Sequence, residues 1–165
     1  MTAVRRTGYS ALQIALHWVI AALVIFQVVF GESMVEAVEA AEEGEALGAT
    51  DQLLAGLHYW VGLAILALVA VRLVVRMVSG APPAVDDGLA GKAAAGLHLL
   101  FYVLLVAAPV SGLLGYYLGD PWGELHQLAK PAFIVLVAIH AAAALYHAFV
   151  LRDATLRRMM VPARD

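Results

Sequence analysis

The sequence has no cysteine, and only 14% of its 165 residues are charged. Without thiols it can form no disulfide, thiolate metal site, iron–sulfur cluster or covalent c-type haem attachment. The shortage of charge excludes an ordinary soluble domain. Such domains carry about 25% charged and about 45–50% apolar residues, whereas 63% of this chain is hydrophobic. Its polar surface is too small to face water on all sides, so the chain belongs in a membrane. Ten Lys and Arg against thirteen Asp and Glu leave a net charge of −3. No nucleic-acid partner is expected from that balance. What the chain does contain, against so apolar a background, is six histidines.

Apolar stretches run over Leu12–Phe30, Leu53–Val78, Ala93–Leu118 and Pro131–Leu151. Each is near or above the roughly 20 residues that cross the hydrocarbon of a bilayer. The first is preceded by Arg5 and Arg6, as a secretion signal would be. Its apolar run is longer than a signal core, however, and Phe30-Gly31-Glu32 is no small-residue cleavage site. The expected fold class is all-α: an integral membrane four-helix bundle in one domain over 1–165, with spans at about 10–31, 52–78, 92–118 and 124–151. Pro109, followed by Ser111-Gly112, predicts a kink in the third span.

Four spans put both termini on one side. Arg5, Arg6, Arg72, Arg76, Lys92, Arg152, Arg157, Arg158 and Arg164 share that side, and only Lys130 lies opposite. Both termini of this multi-pass chain are therefore expected in the cytoplasm. Nine of the thirteen acidic residues fall on the other side, giving a +5 inner and a −8 outer face. The acidic stretch Glu32 to Asp51 has two readings. It is either a solvated connection with one or two helical turns, or a docking surface for a cationic soluble partner.

Ionisable groups within spans face the bundle interior and mark function by default. Depth groups the histidines. At about 1.5 Å per residue, His17, counted from Arg5, and His140, counted from Arg152, both lie about 18 Å in from a cytoplasmic anchor. His58 and His126 both lie about 9–10 Å inward of an outer carboxylate. His98 and His147 form a third level, about 7–9 Å from Lys92 and Arg152. Fourteen residues separate His126 from His140, which returns the side chain to within about 40° of its starting direction some 21 Å along one helix. Facing His58 and His17 respectively, these two offer ligands for two haem b groups, each held between imidazoles from different helices. Gly62 near His58 and Ala141 to Ala144 after His140 leave room for a flat macrocycle, or for close helix packing.

Arg72 and Arg76 aim cations at the inner level, either to neutralise haem propionates or as positive-inside anchors. His147 lies one i,i+7 step from His140 and is read as a proton-accepting or hydrogen-bonding site for a quinone; a third haem with His98 is the other reading. Ser10, Gln13 and Tyr9 supply polar groups at a similar level, for the same quinone or for helix capping and interfacial anchoring.

Several segments resemble the bacterial cytochrome b561 family across nearly the whole chain. They are Tyr9-Ser10-Ala11-Leu12-Gln13-Ile14-Ala15-Leu16-His17-Trp18, then Val71-Arg72-Leu73-Val74-Val75-Arg76 with Pro82-Pro83, then His98-Leu99-Leu100-Phe101-Tyr102 with Ala108 to Leu113. The tail, His140 to His147 followed by Asp153 to Met160, is the closest match. The resemblance implies a di-haem b cytochrome of the bacterial inner membrane, with His17, His58, His126 and His140 as iron ligands and a quinone site near His147. It also implies, for one branch, a superoxide oxidase that passes electrons from superoxide at the periplasmic face to ubiquinone. Lipid, quinone and either superoxide or a cationic periplasmic protein are the expected partners. A −8 outer face repels an anionic donor at short range. A non-catalytic anchor cytochrome for a separate dehydrogenase or hydrogenase is the other functional class.

Overall fold

A computed structural model describes residues 8–83 and 88–163 of the chain; Arg5, Arg6, Asp86, Asp87, Arg164 and Asp165, used above to orient it, lie outside the described residues. Among the described residues every element is helical: α1 (Ala11–Phe30), α2 (Glu32–Glu43), α3 (Ala49–Ser79), α4 (Leu89–Leu118), α5 (Trp122–Gln127) and α6 (Ala129–Tyr146). A π-helical turn (His147–Leu151) and a 3₁₀ turn (Arg157–Met159) follow. Four segments, namely α1, α3, α4 and the run Trp122–Leu151, are long and apolar enough to cross a membrane.

The α1 helix starts at a reciprocal capping box: Ser10 Oγ accepts the Gln13 backbone N–H, and Gln13 Oε1 accepts that of Ser10. This satisfies two of the donors that a helix N-terminus leaves open. The Gln13 amide then donates to the Gly80 carbonyl at 2.9 Å, and Arg72 donates to the Gln13 carbonyl at 2.9 Å. One residue thus joins the start of α1 to the end of α3. The fourth span is divided at Leu128. Pro131 has no N–H to give the Gln127 carbonyl, so the helical ladder breaks one turn before it, while Leu128 keeps right-handed helical backbone.

The acidic connection departs from a loop with one or two turns. It holds the twelve-residue helix α2, whose Glu, Ala and Met residues are strong helix formers. It ends at Gly44, whose left-handed backbone (φ 71°) suits glycine, and Glu45 N–H closes the end on the Ala40 carbonyl. Ser33 ties α2 to α3 by donating to Asp51 Oδ1 at 3.2 Å, and Glu32 pairs with Lys130 at the start of α6.

Ile20, Val24, Ile65, Val69, Leu105, Ala108, Ala129 and Phe133 form the central core, with Val69 fully enclosed. Around it, Val74, Leu99, Val103, Ile134 and Val135 are exposed, apolar surface of the kind that lipid covers. Tyr59, Trp60, Tyr116 and Tyr117 cluster at the α2 end of the bundle, with the Tyr59 and Tyr117 hydroxyls 3.0 Å apart; aromatic residues of this kind populate membrane interfaces. At the opposite end, Ala163 N–H bonds the Tyr9 carbonyl, Trp18 Nε1 donates to the Met159 carbonyl and Arg158 to that of Pro83. Both ends of the described chain therefore share one end of the bundle.

Helices α4 and α5 approach one another closely. A Cβ added to Gly115 would stand 2.9 Å from the backbone of Gly123, so only glycine lets the two backbones meet there. Gly115→Leu is expected to force α5 off α4 at a cost of about 1–3 kcal/mol. The apparent melting temperature of the detergent-purified protein should fall accordingly.

Candidate functional site: two facing histidine pairs

The depth grouping of four histidines is reproduced in space. His17 on α1 faces His140 on α6, with ring centroids 6.2 Å apart and planes at 60°. His58 on α3 faces His126 on α5 at 5.9 Å and 85°. All four are half-buried. Two imidazoles on opposite sides of one metal ion, with each ligating nitrogen roughly 2 Å from it, have ring centroids about 6 Å apart. Both pairs match that separation, and neither pair is hydrogen-bonded together.

The His126 ring is oriented from two sides. Its Nδ1 donates to the Ala108 carbonyl on α4 at 2.8 Å, which leaves Nε2 free. That is the usual second contact of a metal-bound imidazole. The ring also lies over Gly112, where an added Cβ would stand 3.0–3.3 Å from three of its atoms. Gly112, read from sequence as part of a kink beside Pro109, therefore works as a seat for the imidazole. Pro109 itself stands within α4 without ending it.

His98 is the one histidine whose predicted level the structure changes. It does not pair with His147; its ring lies 5.4 Å from that of His140, which Phe101 also meets at 5.4 Å, and its Nδ1 bonds the Ala94 carbonyl at 2.6 Å. The reason is the choice of anchor. Lys92 sits inside the first turn of α4, nine residues separate Leu89 from His98, and six separate Ala11 from His17. Measured from the helix starts, His98 is no shallower than His17. The surroundings of this pair are open. No residue of α4 from Leu89 to Leu104, and none of α6 from Val137 onward, is buried, so beyond the ring contacts of His98 and Phe101 with His140 this side of the bundle is open, with the small residues Ala141 to Ala144 on it.

Arg72 and Arg76 line a shallow cleft with Tyr9, Gln13 and Tyr102, and among the described residues neither arginine is ion-paired with a carboxylate. Such a cleft accepts an anion. Ser10 and Gln13, offered above either to a quinone or to capping, make the capping box. His147 begins the π-helical turn, where its carbonyl accepts the N–H groups of Arg152 and Asp153. The wider turn brings Asp153 back onto the histidine, and Nδ1 bonds Asp153 Oδ2 at 2.5 Å. Sequence spacing alone missed this partner. The His147 hydrogen bond, followed by those from Thr155, lowers the Asp153 carboxyl from 3.8 to about 2. A depressed acid contributes its stabilising effect above the unfolded value and loses it as pH falls through the folded one, so this tie persists through the neutral range and fades between about 3.8 and about 2.

Gln27, also missed, is a polar side chain within an apolar span. Its Nε2 donates to the His58 backbone carbonyl at 2.9 Å.

Comparison with known proteins places this geometry. Residues 8–161 match the family described as prokaryotic cytochrome b561. Cytochrome b562 of Cereibacter sphaeroides is 42% identical, over 94% of this chain and 96% of its own length. The probable superoxide oxidase CybB of Yersinia pestis is 29% identical over 94% and 97%, and cytochrome b561 homolog 1 of Escherichia coli is 27% identical over 92% and 96%. The chain belongs to the prokaryotic cytochrome b561 family, a membrane electron-transfer family whose name implies haem b.

Proposed function

We propose that the protein is a di-haem b oxidoreductase of the bacterial inner membrane, passing electrons from a one-electron donor at the α2 face to ubiquinone at the face bearing the termini. The observation that carries this reading is the pair of imidazole pairs at metal-bridging separation, one member of each supplied by the last span. His58 and His126 would hold the outer haem; His17 and His140 would hold the inner one. Arg72 and Arg76, without a carboxylate partner among the described residues, would receive propionates of the inner group. The basic residues clustered around the shared end of the bundle support a cytoplasmic location for it.

When bound, haem b supplies a one-electron couple whose potential answers to its ligands, their hydrogen bonds and local polarity. The chain's own residues do the rest. Ala108 holds Nδ1–H of His126 and so presents Nε2. The apolar core around Val69 lies between the two levels and keeps water and protons out of the path. Reducing a quinone to a quinol consumes two protons with two electrons, and His147 is placed to deliver one. Asp153 Oδ2 bonds Nδ1 and fixes the ring, Nε2 gives a proton to a quinone oxygen, and the aqueous face restores it. Ser10 and Gln13 frame the same end of the bundle from α1.

The exposed carboxylates Glu36, Glu39, Glu42, Glu43 and Glu45 on and beside α2 favour a second reading. In that reading the chain is the membrane anchor of a separate dehydrogenase, with α2 as the contact for a cationic donor. The name of the Yersinia pestis relative points to superoxide as the donor instead. Stopped-flow mixing of the purified, haem-loaded protein with superoxide, followed at the haem bands with ubiquinone present, separates the two. Fast reduction and reoxidation support the oxidase; absence of reduction leaves the anchor reading.

Substitution of the histidines locates the parts. His140→Ala is expected to lose the inner haem and keep the outer one. His147→Ala is expected to keep both and to slow quinone reduction by about 10²–10⁴-fold, the range of a general acid. Loss of a haem from the second variant would show that His147 is a ligand.

A further inference from the structure

We propose that Gln27 is the positioning residue of the outer site: its side-chain oxygen accepts Nδ1–H of His58, holding that imidazole in the tautomer that presents Nε2 to the iron. The proposal rests on His58 and His126 holding the outer haem. Among the described residues three buried side-chain polar atoms lack a partner, Gln27 Oε1, His58 Nδ1 and Thr155 Oγ1. The first two belong to one contact between α1 and α3. One is an acceptor without a donor; the other, protonated, is a donor without an acceptor. Leaving both unmet within an apolar span costs about 1–3 kcal/mol each, and each is the kind of partner the other lacks.

Three features place the two side chains against one another. The amide already reaches α3, donating through Nε2 to the His58 carbonyl at 2.9 Å. Gly31, which caps the end of α1, lies one turn beyond Gln27, and a Cβ there would stand 3.5 Å from His58 Cε1 and 3.6 Å from Nδ1. The Nδ1 edge of the ring is therefore turned to the part of α1 that carries Gln27. Gly62 lies one turn beyond His58 on α3, and its Cβ would stand 3.4 Å from Gln27 Nε2. The two glycines make the slot in which amide and imidazole interlock. The partner ligand solves the same problem differently, through the Ala108 carbonyl. The outer pair thus combines one histidine oriented by backbone with one oriented by a side chain, and only the second can be changed by substitution without altering a helix.

A hydrogen-bond acceptor on the far nitrogen makes a ligating imidazole more basic and stabilises the oxidised metal. Gln27→Met keeps length and volume but has no oxygen. In the haem-loaded protein it is expected to raise the midpoint potential of the outer haem, to leave the inner one unmoved, and to weaken outer haem retention about 10–100-fold. Gln27→Glu keeps an oxygen acceptor and is expected to hold the outer potential at or below that of the unsubstituted protein. Optical redox titration reads both, with the outer haem identified as the one missing from His126→Ala. An outer potential unmoved by Gln27→Met, or raised by Gln27→Glu, overturns the proposal. If Gln27→Met does not accumulate in the membrane, the Gln27→Glu titration decides alone by the same criterion. A His126→Ala protein that keeps both haems overturns the ligand pair and this proposal with it, whereas intact haems with unmoved potentials overturn this proposal only.

Discussion

The last span must place one imidazole against α3 and another against α1, and most of the local structure follows from meeting that demand at two depths at once. His126 and His140 are fourteen residues apart, and the helix between them is broken at Leu128 by Pro131. The break divides the span into a short segment that can press onto α4 and a longer one that can stand away from it. Gly115 against Gly123 seats the short segment closely enough for the Ala108 carbonyl to hold the His126 ring. Beyond Leu136 the longer segment has no buried residue, and the inner histidines meet there in an open region between α1, α4 and α6. Close packing at one level and separation at the other are what one helix needs in order to serve two different sites.

Small residues do at the outer level what the departure of α6 does at the inner one. Gly112 lies under His126, Gly31 beside His58 and Gly62 beside Gln27. In a lipid-facing bundle such residues are usually explained by helix approach. Here each of the three borders an imidazole or the amide that bonds the His58 carbonyl, so the outer pair is shaped by backbone surfaces. At the face bearing the termini the π-helical turn plays a comparable part. By widening the helix after Tyr146 it lets Asp153 fold back on His147, and the tail continues across the bundle end to Trp18 and Tyr9.

The four spans were legible in the sequence because apolar runs of membrane length admit few other structures, and the pairing of four histidines was legible because rise per residue converts spacing into depth. His98 was misplaced for a physical reason: lysine has a long stem that lets its charge reach water from within a helix, so Lys92 does not mark where α4 begins. The α2 helix was undervalued because its charge suggested a solvated loop, whereas Glu and Ala are among the better helix formers. Asp153 could not be anticipated from helical periodicity, since its contact depends on a turn that departs from that periodicity. Gln27 carried a signal in its polarity within an apolar span, but its partner on α3 emerges only once the helices are packed.

Haem stoichiometry tests the central claim most directly. A pyridine haemochrome assay on protein purified from membranes reports haem type and haems per chain together. The account predicts haem b at two per chain, each site relying on one histidine from the last span. One haem per chain, or none, would contradict it.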